Sequence, residues 1–369
     1  MRYFLIAGEA SGDLLASQLM RGILNNDPSA EFEYWGGDAM AEIAPGLKQH
    51  YKDIAIMGFL EVLLKIREIK GNINRCKSHI LNFKPDVLIL VDYPGFNMRM
   101  AKFGKENGIK TCYYIAPKIW AWNEARGKKL EKYVDLLLLI FPFEANYFKK
   151  WKVKSVYVGN PLVEQLKQLA RDPEFYTKNK LNKDKPLIAL LPGSRKQEVK
   201  IMLPIMLSAA NHYPEYQFVI AGAPGLSMEF YAPYLDKQKS LVFGETHQIL
   251  KHAIAAVVCS GTASLETAIL GIPQVCVYAA NPITYAIAKR VVKVKYASLV
   301  NLNLDKLVVV ELIQKNLSPE RILQELKYIL PGGLKHKTLL QDYDVLNELF
   351  GNEDAANKAA KEIAKLLKA

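Results

Sequence analysis

The chain has 369 residues, 50% of them hydrophobic, and 49 Lys and Arg against 37 Asp and Glu leave a formal net charge of +12 at pH 7. That length is too great for one typical core and suits two domains. The basic surplus favours anionic partners, a phosphorylated substrate or an acidic membrane surface; nucleic acid is not expected, because no dense Lys/Arg run with interleaved aromatics is present.

Strand and helix patterns alternate along almost the whole length, which predicts an α/β architecture with parallel sheets. Tyr3–Ala7 reads as the first strand. It runs into Gly8-Glu9-Ala10-Ser11-Gly12-Asp13, then an amphipathic helix from Leu14 to about Leu24. Gly8 and Gly12 allow close approach of backbone to a ligand. The same loop also reads as a tight βα turn capped by Ser11 or Asp13, and it does not match GxGxxG. Phe32–Trp35 predicts another strand. Met57–Ile69 predicts a strongly apolar helix carrying Lys65, Arg67 and Lys70, which suits a membrane interface or an ordinary buried position.

Val87–Val91 is a continuous apolar run ending in Asp92-Tyr93-Pro94-Gly95-Phe96-Asn97. Ligands of open α/β sheets gather outside the carboxyl ends of the strands, so Asp92 stands where a general base would stand. Capping the following turn is the other use of an aspartate there. Lys110–Ile115 is the next strand; Trp120 and Trp122 beyond it suit a groove for an apolar or sugar ligand, or core packing. Asp135–Phe141 and Val156–Val158 continue the strands, with a short helix, Phe143–Trp151, between them.

Composition changes after Leu169. Residues 171–185 are charged and weakly periodic and read as a linker between an N-terminal domain, 1–170, and a second domain, 186–345; residues 346–369 form a C-terminal helix. Pro186–Leu191 starts a new sheet and ends at Pro192-Gly193-Ser194-Arg195, where backbone N–H groups and a guanidinium can hold a phosphate. Phe218–Ala221 and Leu241–Phe243 follow as strands and Thr246–His252 as a small helix. Ala253–Val258 is a buried strand that breaks into Ser260-Gly261-Thr262 and then a helix, Ala263–Leu270, stopped by Gly271 and Pro273. The free N–H groups of that first helical turn make an anion site; an ordinary N-cap by Ser260 or Thr262 fits the same residues. Glu266, one turn later, can accept hydrogen bonds from ribose hydroxyls. Gln274–Val277 is a strand, Leu299–Leu302 is extended, Glu311 and Gln314 share one helical face, and Glu353–Leu367 is the last helix.

Cys76, Cys112, Cys259 and Cys276 are far apart, form no CxxC and sit in apolar surroundings, as reduced buried thiols do. The six histidines show no metal-ligand spacing, so no metal is expected. The N-terminus reaches Glu9 too soon for a signal peptide, and the longest apolar run, Leu136–Phe141, is far short of a membrane span. A soluble or peripheral protein on the cytoplasmic side is expected.

Two α/β domains with a diphosphate site in the second and a carboxylate at a strand end in the first resemble the layout of a GT-B glycosyltransferase. The residues are more specific. Gly8–Asp13, Met57-Gly58-Phe59-Leu60-Glu61-Val62, Asp92–Asn97, Ala116-Pro117 with Trp120-Ala121-Trp122, Gly159-Asn160-Pro161, Leu191–Arg195 and Ser260-Gly261-Thr262-Ala263-Ser264-Leu265-Glu266 stand in the order and spacing of the lipid-A-disaccharide synthase family. The resemblance covers about the full chain and is weakest over the linker and after Lys315.

It implies a hexosyltransferase that moves 2,3-diacylglucosamine from its UDP derivative onto the 6-hydroxyl of 2,3-diacylglucosamine 1-phosphate (lipid X), giving the β(1→6) disaccharide 1-phosphate and UDP. It implies inversion at the anomeric carbon, no metal and no cofactor. By the same resemblance Asp92 is the base, and Arg195 with the amides around Gly193, Ser194 and Thr262–Ser264 meets the departing diphosphate. Ser260, Gly261, Ala263, Glu311 and Gln314 complete the donor site, and Glu266 holds the ribose. Gly8, Glu9, Ser11, Gly12, Asp13 and Asn97 face the cleft and the acceptor. Acylated substrates imply peripheral contact with the anionic cytoplasmic face of the inner membrane; the basic 57–70 segment suits it. A homodimer that exchanges the C-terminal helix is left open.

The sequence departs from the family's pattern at Leu15, where many relatives have histidine, at Ala279, where a basic residue is usual, and at Val310. Other UDP-sugar GT-B proteins are the nearest rivals: a peptidoglycan N-acetylglucosaminyltransferase, or a 2-epimerase, which needs more carboxylates and a histidine in its cleft, whereas no histidine here lies in a motif. A non-catalytic lipid- or nucleotide-binding protein is the rival of a different class. A dehydrogenase is disfavoured, since neither glycine loop fits the dinucleotide fingerprint.

Overall fold

The structure is a computed structural model and describes residues 1–53, 66–122, 124–235, 239–292, 294–352 and 354–368. The chain divides into two compact units, Met1–Pro161 with Asn352–Ala369, and Leu162–Gly351.

In the first unit β1 (Arg2–Ala7), β2 (Glu31–Gly36), β3 (Leu47–His50), β4 (Val87–Val91), β5 (Lys110–Tyr114), β6 (Leu136–Leu139) and β7 (Lys154–Tyr157) form one sheet in the order β3-β2-β1-β4-β5-β6-β7. The pairings are parallel. A parallel sheet covered on both faces needs strands apolar throughout, which is why Val87–Val91 and Leu136–Leu139 are unbroken apolar runs. Alternate residues divide between the two faces. Tyr3, Leu5, Ile89, Val91, Tyr114 and Leu138 pack with Ala16, Leu19 and Ile23 of the helix Ala10–Asn26. Phe4, Ile6, Leu88, Leu90, Tyr113 and Leu139 pack on the other side with Cys76, Ile80 and Met100.

The last helix, Ala355–Lys368, lies on the first of these faces through Ala359, Ile363 and Leu366. Its close approach depends on Gly22, where an added Cβ would stand 2.7 Å from the Ala356 carbonyl oxygen. Glu353, expected to open this helix, lies outside the described residues, as does most of the apolar basic 57–70 segment.

In the second unit β8 (Leu187–Leu191), β9 (Gln217–Gly222), β10 (Lys239–Phe243), β11 (Ala253–Cys259), β12 (Gln274–Tyr278) and β13 (Glu311–Ile313) form a sheet in the order β10-β9-β8-β11-β12-β13. These pairings are parallel too. Both sheets therefore reverse their winding once, between β1 and β4 in the first and between β8 and β11 in the second. Crevices at such switch points are where open α/β sheets bind ligands.

Three sequence expectations need correction. The segment 171–185, read as the linker between the domains, lies within the second unit and carries a helical turn, Phe175–Lys178, whose Phe175 is fully buried against Leu187, Ala189 and Val219. His252 stacks on Phe175 at 4.6 Å, and Arg171 Nε donates to the Lys251 carbonyl at 3.0 Å. Leu299–Leu304 is helical, not extended, because the Ser298 side chain caps it by accepting from the Val300 amide. Glu311 lies on β13 and Gln314 in the turn after it, so they do not share a helical face.

Candidate active site

At the switch point of the first sheet, Ala7 of β1 pairs with Val91 of β4, so the loops after both strands emerge side by side. The contact between them is tight: a Cβ on Gly8 would fall 2.3 Å from the Tyr93 ring. Asp92 and Tyr93 both take left-handed backbone conformations, with φ 44° and 47°. For non-glycine residues that costs about 1–3 kcal/mol each and needs surrounding structure to hold it. Here the Asp92 amide donates to the Tyr114 carbonyl at 3.0 Å, while the Asp92 carbonyl accepts from the Tyr113 hydroxyl at 2.6 Å and from Asn97 Nδ2 at 2.8 Å.

So braced, the Asp92 carboxyl is half-buried. Burial raises its pKa above the ordinary value; Lys118 and the Tyr93 amide oppose the shift and Glu9 adds to it. A half-buried carboxylate with a raised pKa at a strand end is suited to accept a proton.

The neighbouring candidates separate into two groups. Glu9 and Ser11 are exposed, with Ser11 Oγ donating to Glu9 at 2.8 Å. Asp13 and Asn97 are buried at 4% and 0% exposure, and the Asp13 carboxylate and the Asn97 Nδ2 are already engaged within the protein, whereas Asn97 Oδ1 is buried with no partner among the described residues. Asp13 accepts from the amides of Gly37 at 2.6 Å and Ala39 at 3.0 Å, tying the first helix to the Gly36-Gly37 turn. Asn97 Nδ2 donates to the carbonyls of Ile6, Val91 and Asp92, stitching the ends of β1 and β4. The helix also starts at Ala10 rather than Leu14, so Ser11–Asp13 form its first turn instead of an open loop, and Gly12 is buried against Ala7. Trp120 is buried as well, its indole N–H donating to Glu144 at 2.9 Å; the Trp122 side chain lies outside the described residues.

At the switch point of the second sheet, β8 delivers Pro192–Arg195 and β11 delivers Ser260-Gly261 to the helix Thr262–Ile269. The two turns adjoin: a Cβ on Gly193 would stand 3.4 Å from Cys259 Sγ. Gly193, at φ 117°, would also place a Cβ 2.8 Å from Glu198, so only glycine fits. Glu198 is the residue that sequence reasoning passed over. Its Oε2 accepts from the Ser194 and Arg195 amides at 3.1 and 3.2 Å, and its Oε1 from Arg195 Nη1 at 3.0 Å. The amides expected to meet a phosphate are thus satisfied by an internal carboxylate, while the Arg195 side chain stays 81% exposed. The signal was present: an acid three residues beyond a helix N-cap is half of a capping box.

The Ser260 turn is more open. No atom lies within 4 Å of the place a Gly261 Cβ would take, and Gly261 and Thr262 are exposed at the helix N-terminus. Ala263 is half-buried, whereas Ser264 is fully buried and donates to the Gly261 carbonyl at 2.8 Å, bracing the turn from inside. Ser260 Oγ donates to the Ala297 carbonyl at 2.9 Å. Glu311 accepts from the amides of Ala297 and Ser298 and from Asn301 Nδ2, so it anchors the segment that Ser260 touches. Gln314 donates to the Ala280 carbonyl at 3.1 Å. Glu266 Oε2 lies 2.8 Å from His247 Nε2, a pairing no motif announced.

Two parallel-sheet domains of this kind define the GT-B class. Solved structures agree: the UDP-GlcNAc 2-epimerase of Neisseria meningitidis bound to UDP-GlcNAc superimposes with a TM-score of 0.68 at 12% identity, covering 100% of both chains. The calicheamicin glycosyltransferase gives 0.62 at 14%, covering 100% of this chain and 98% of that one. At such identities the likeness is one of fold. The sequence is more particular. The family model described as lipid-A-disaccharide synthetase matches residues 3–365. The lipid-A-disaccharide synthase of Coxiella burnetii (strain CbuG_Q212) is 33% identical over 367 residues, 98% of either chain. That of Trichlorobacter lovleyi is 36% identical over 367 residues, 97% of this chain and 96% of its own. The chain belongs to the lipid-A-disaccharide synthase family, glycosyltransferases of lipid A biosynthesis.

Proposed function

We propose that the protein condenses UDP-2,3-diacylglucosamine with 2,3-diacylglucosamine 1-phosphate, with inversion, to give the β(1→6) disaccharide 1-phosphate and UDP. Asp92 takes the proton from the acceptor 6-hydroxyl as that oxygen bonds to the donor C1. The bond from C1 to the diphosphate oxygen breaks, and its electron pair leaves on UDP. Arg195 and the N–H groups of Thr262 and Ala263 stabilise the negative charge that builds on the leaving group. Glu266 accepts hydrogen bonds from the ribose.

The observation that carries this reading is Asp92, held at the switch point with a carboxyl whose pKa burial raises. The exposed Arg195 guanidinium and the open turn at Gly261 support the donor side. Names of relatives support the substrates, and a fold neighbour was solved with UDP-GlcNAc.

Both lipid substrates sit in a bilayer. Among the described residues no helix is long and apolar enough to cross a membrane. A net charge of +12 supports peripheral binding to the anionic cytoplasmic face of the inner membrane. Flotation with acidic but not neutral liposomes checks this; failure to float with either overturns it.

The test of the reaction is UDP release from UDP-2,3-diacylglucosamine with and without the 1-phosphate acceptor, in EDTA. Acceptor-dependent release is expected. Release without acceptor, as a 2-epimerase or hydrolase gives, overturns the reading.

A further inference from the structure

His247 and Glu266 lie 19 residues apart in sequence on opposite sides of β11. His247 sits in the helix Thr246–His252 that leads into the strand, Glu266 in the helix Thr262–Ile269 that leaves it. The strand returns the chain so that His247 Nε2 and Glu266 Oε2 meet at 2.8 Å. The carboxylate is 15% exposed and the imidazole 39%, so the pair lies at the surface with the acid the more enclosed.

A glutamate side chain has three rotatable bonds, and a partly enclosed carboxylate can turn between orientations. A hydrogen bond to one oxygen removes that freedom. A carboxylate oxygen accepts, so Nε2 is the donor in this hydrogen bond. One lone pair of Oε2 is then used. Among the described residues no other donor meets this carboxylate, so Oε1 and the second lone pair of Oε2 remain for incoming donors, in an orientation set before any ligand arrives.

We propose that His247 is a positioning residue that orients the Glu266 carboxylate to take both hydroxyls of a ribose, and so sets selection for a ribonucleotide over a 2′-deoxyribonucleotide donor. This rests on the ribose role given to Glu266 above. A carboxylate held for two hydroxyls gains least from a sugar that lacks one of them, because one acceptor position then goes unpaired. A freely turning carboxylate reaches whichever hydroxyl is present, and discrimination shrinks.

Binding of UDP and of 2′-deoxy-UDP is measured by calorimetry for wild type, His247→Phe, His247→Gln and Glu266→Gln. The wild type is expected to prefer UDP by about tenfold or more. His247→Phe keeps a ring without a donor and is expected to reduce the preference below about threefold. His247→Gln restores a side-chain N–H and should recover most of it. A merely structural histidine would weaken both nucleotides equally and leave the ratio intact; that outcome overturns the proposal. A ratio lost in Glu266→Gln but unchanged in His247→Phe overturns it alone. A wild-type ratio near one removes the ribose assignment, and this inference with it.

Discussion

Glu198 grips Arg195 at both ends, accepting from its backbone amide at 3.2 Å through Oε2 and from Nη1 at 3.0 Å through Oε1. The guanidinium is thereby held beside the Gly193 turn although 81% of the side chain is exposed. Arg195→Ala should lower kcat/KM for transfer by on the order of 10²–10³, as loss of a charge-stabilising donor does. An exposed side chain packs little, so urea unfolding should move by less than about 0.5 kcal/mol. Glu198→Ala should instead cost about 1 kcal/mol of stability through the uncapped helix, and raise the donor KM. Full turnover in Arg195→Ala would remove the arginine from the reaction.

Asp92→Asn is the discriminating change at the proposed base. Asparagine tolerates the left-handed backbone that φ 44° demands, so the loop should keep its shape. Transfer should fall by roughly 10²–10⁴, while calorimetric affinity for UDP stays within about twofold of wild type. The working form is the carboxylate, so kcat/KM should drop as pH falls through a value above the ordinary aspartate value of 3.8, since burial raises this group. An acid limb at or below 3.8 contradicts that environment.

Asn97 is fully buried with three carbonyls around its Nδ2. Asn97→Ala removes the buried donor these carbonyls share, although the Asp92 carbonyl keeps its bond from the Tyr113 hydroxyl, and should destabilise the first unit by about 2–4 kcal/mol in urea unfolding. A change under about 0.5 kcal/mol would mean that the β1 and β4 ends hold without it.

Glu144 is 1% exposed, and burial pushes its carboxyl up from 4.5 to about 7, against the hydrogen bonds from Trp120 and Phe141 and the charge of Lys118. Between these values the folded chain holds a proton that the unfolded chain has released, so this group's contribution to stability falls as pH rises. Relative to Glu144→Gln, wild type should lose on the order of 3 kcal/mol between pH 4.5 and 7, followed by urea unfolding across pH. A pH-independent difference between the two proteins would show that the carboxyl does not titrate in this range.

The strands were legible because burial on both faces of a parallel sheet demands apolar runs; Val87–Val91 has the same limits in sequence and structure. The glycine-bearing turns at Gly8, Gly193 and Gly261 were legible because backbone that must pass close to a side chain or turn left-handed excludes other residues. Helices such as Pro319–Ile329 and His336–Phe350 were not read, because they lie where the motifs thin out.

The site divides along the same line. Asp92, Arg195 and the Ser260–Glu266 turn announce themselves by lying directly after apolar strands, and local order alone places them at strand ends. Which candidates remain available was decided by tertiary contacts. Asp13 is used up by amides of Gly37 and Ala39, and the Asn97 amide nitrogen by carbonyls at the ends of two strands. Glu311 is taken by the amides of Ala297 and Ser298, and Glu266 gains His247 from across β11. A polar residue reads alike in sequence whether it waits for a ligand or satisfies its own protein; the difference lies in hydrogen-bond partners that only the folded sheet order brings within reach.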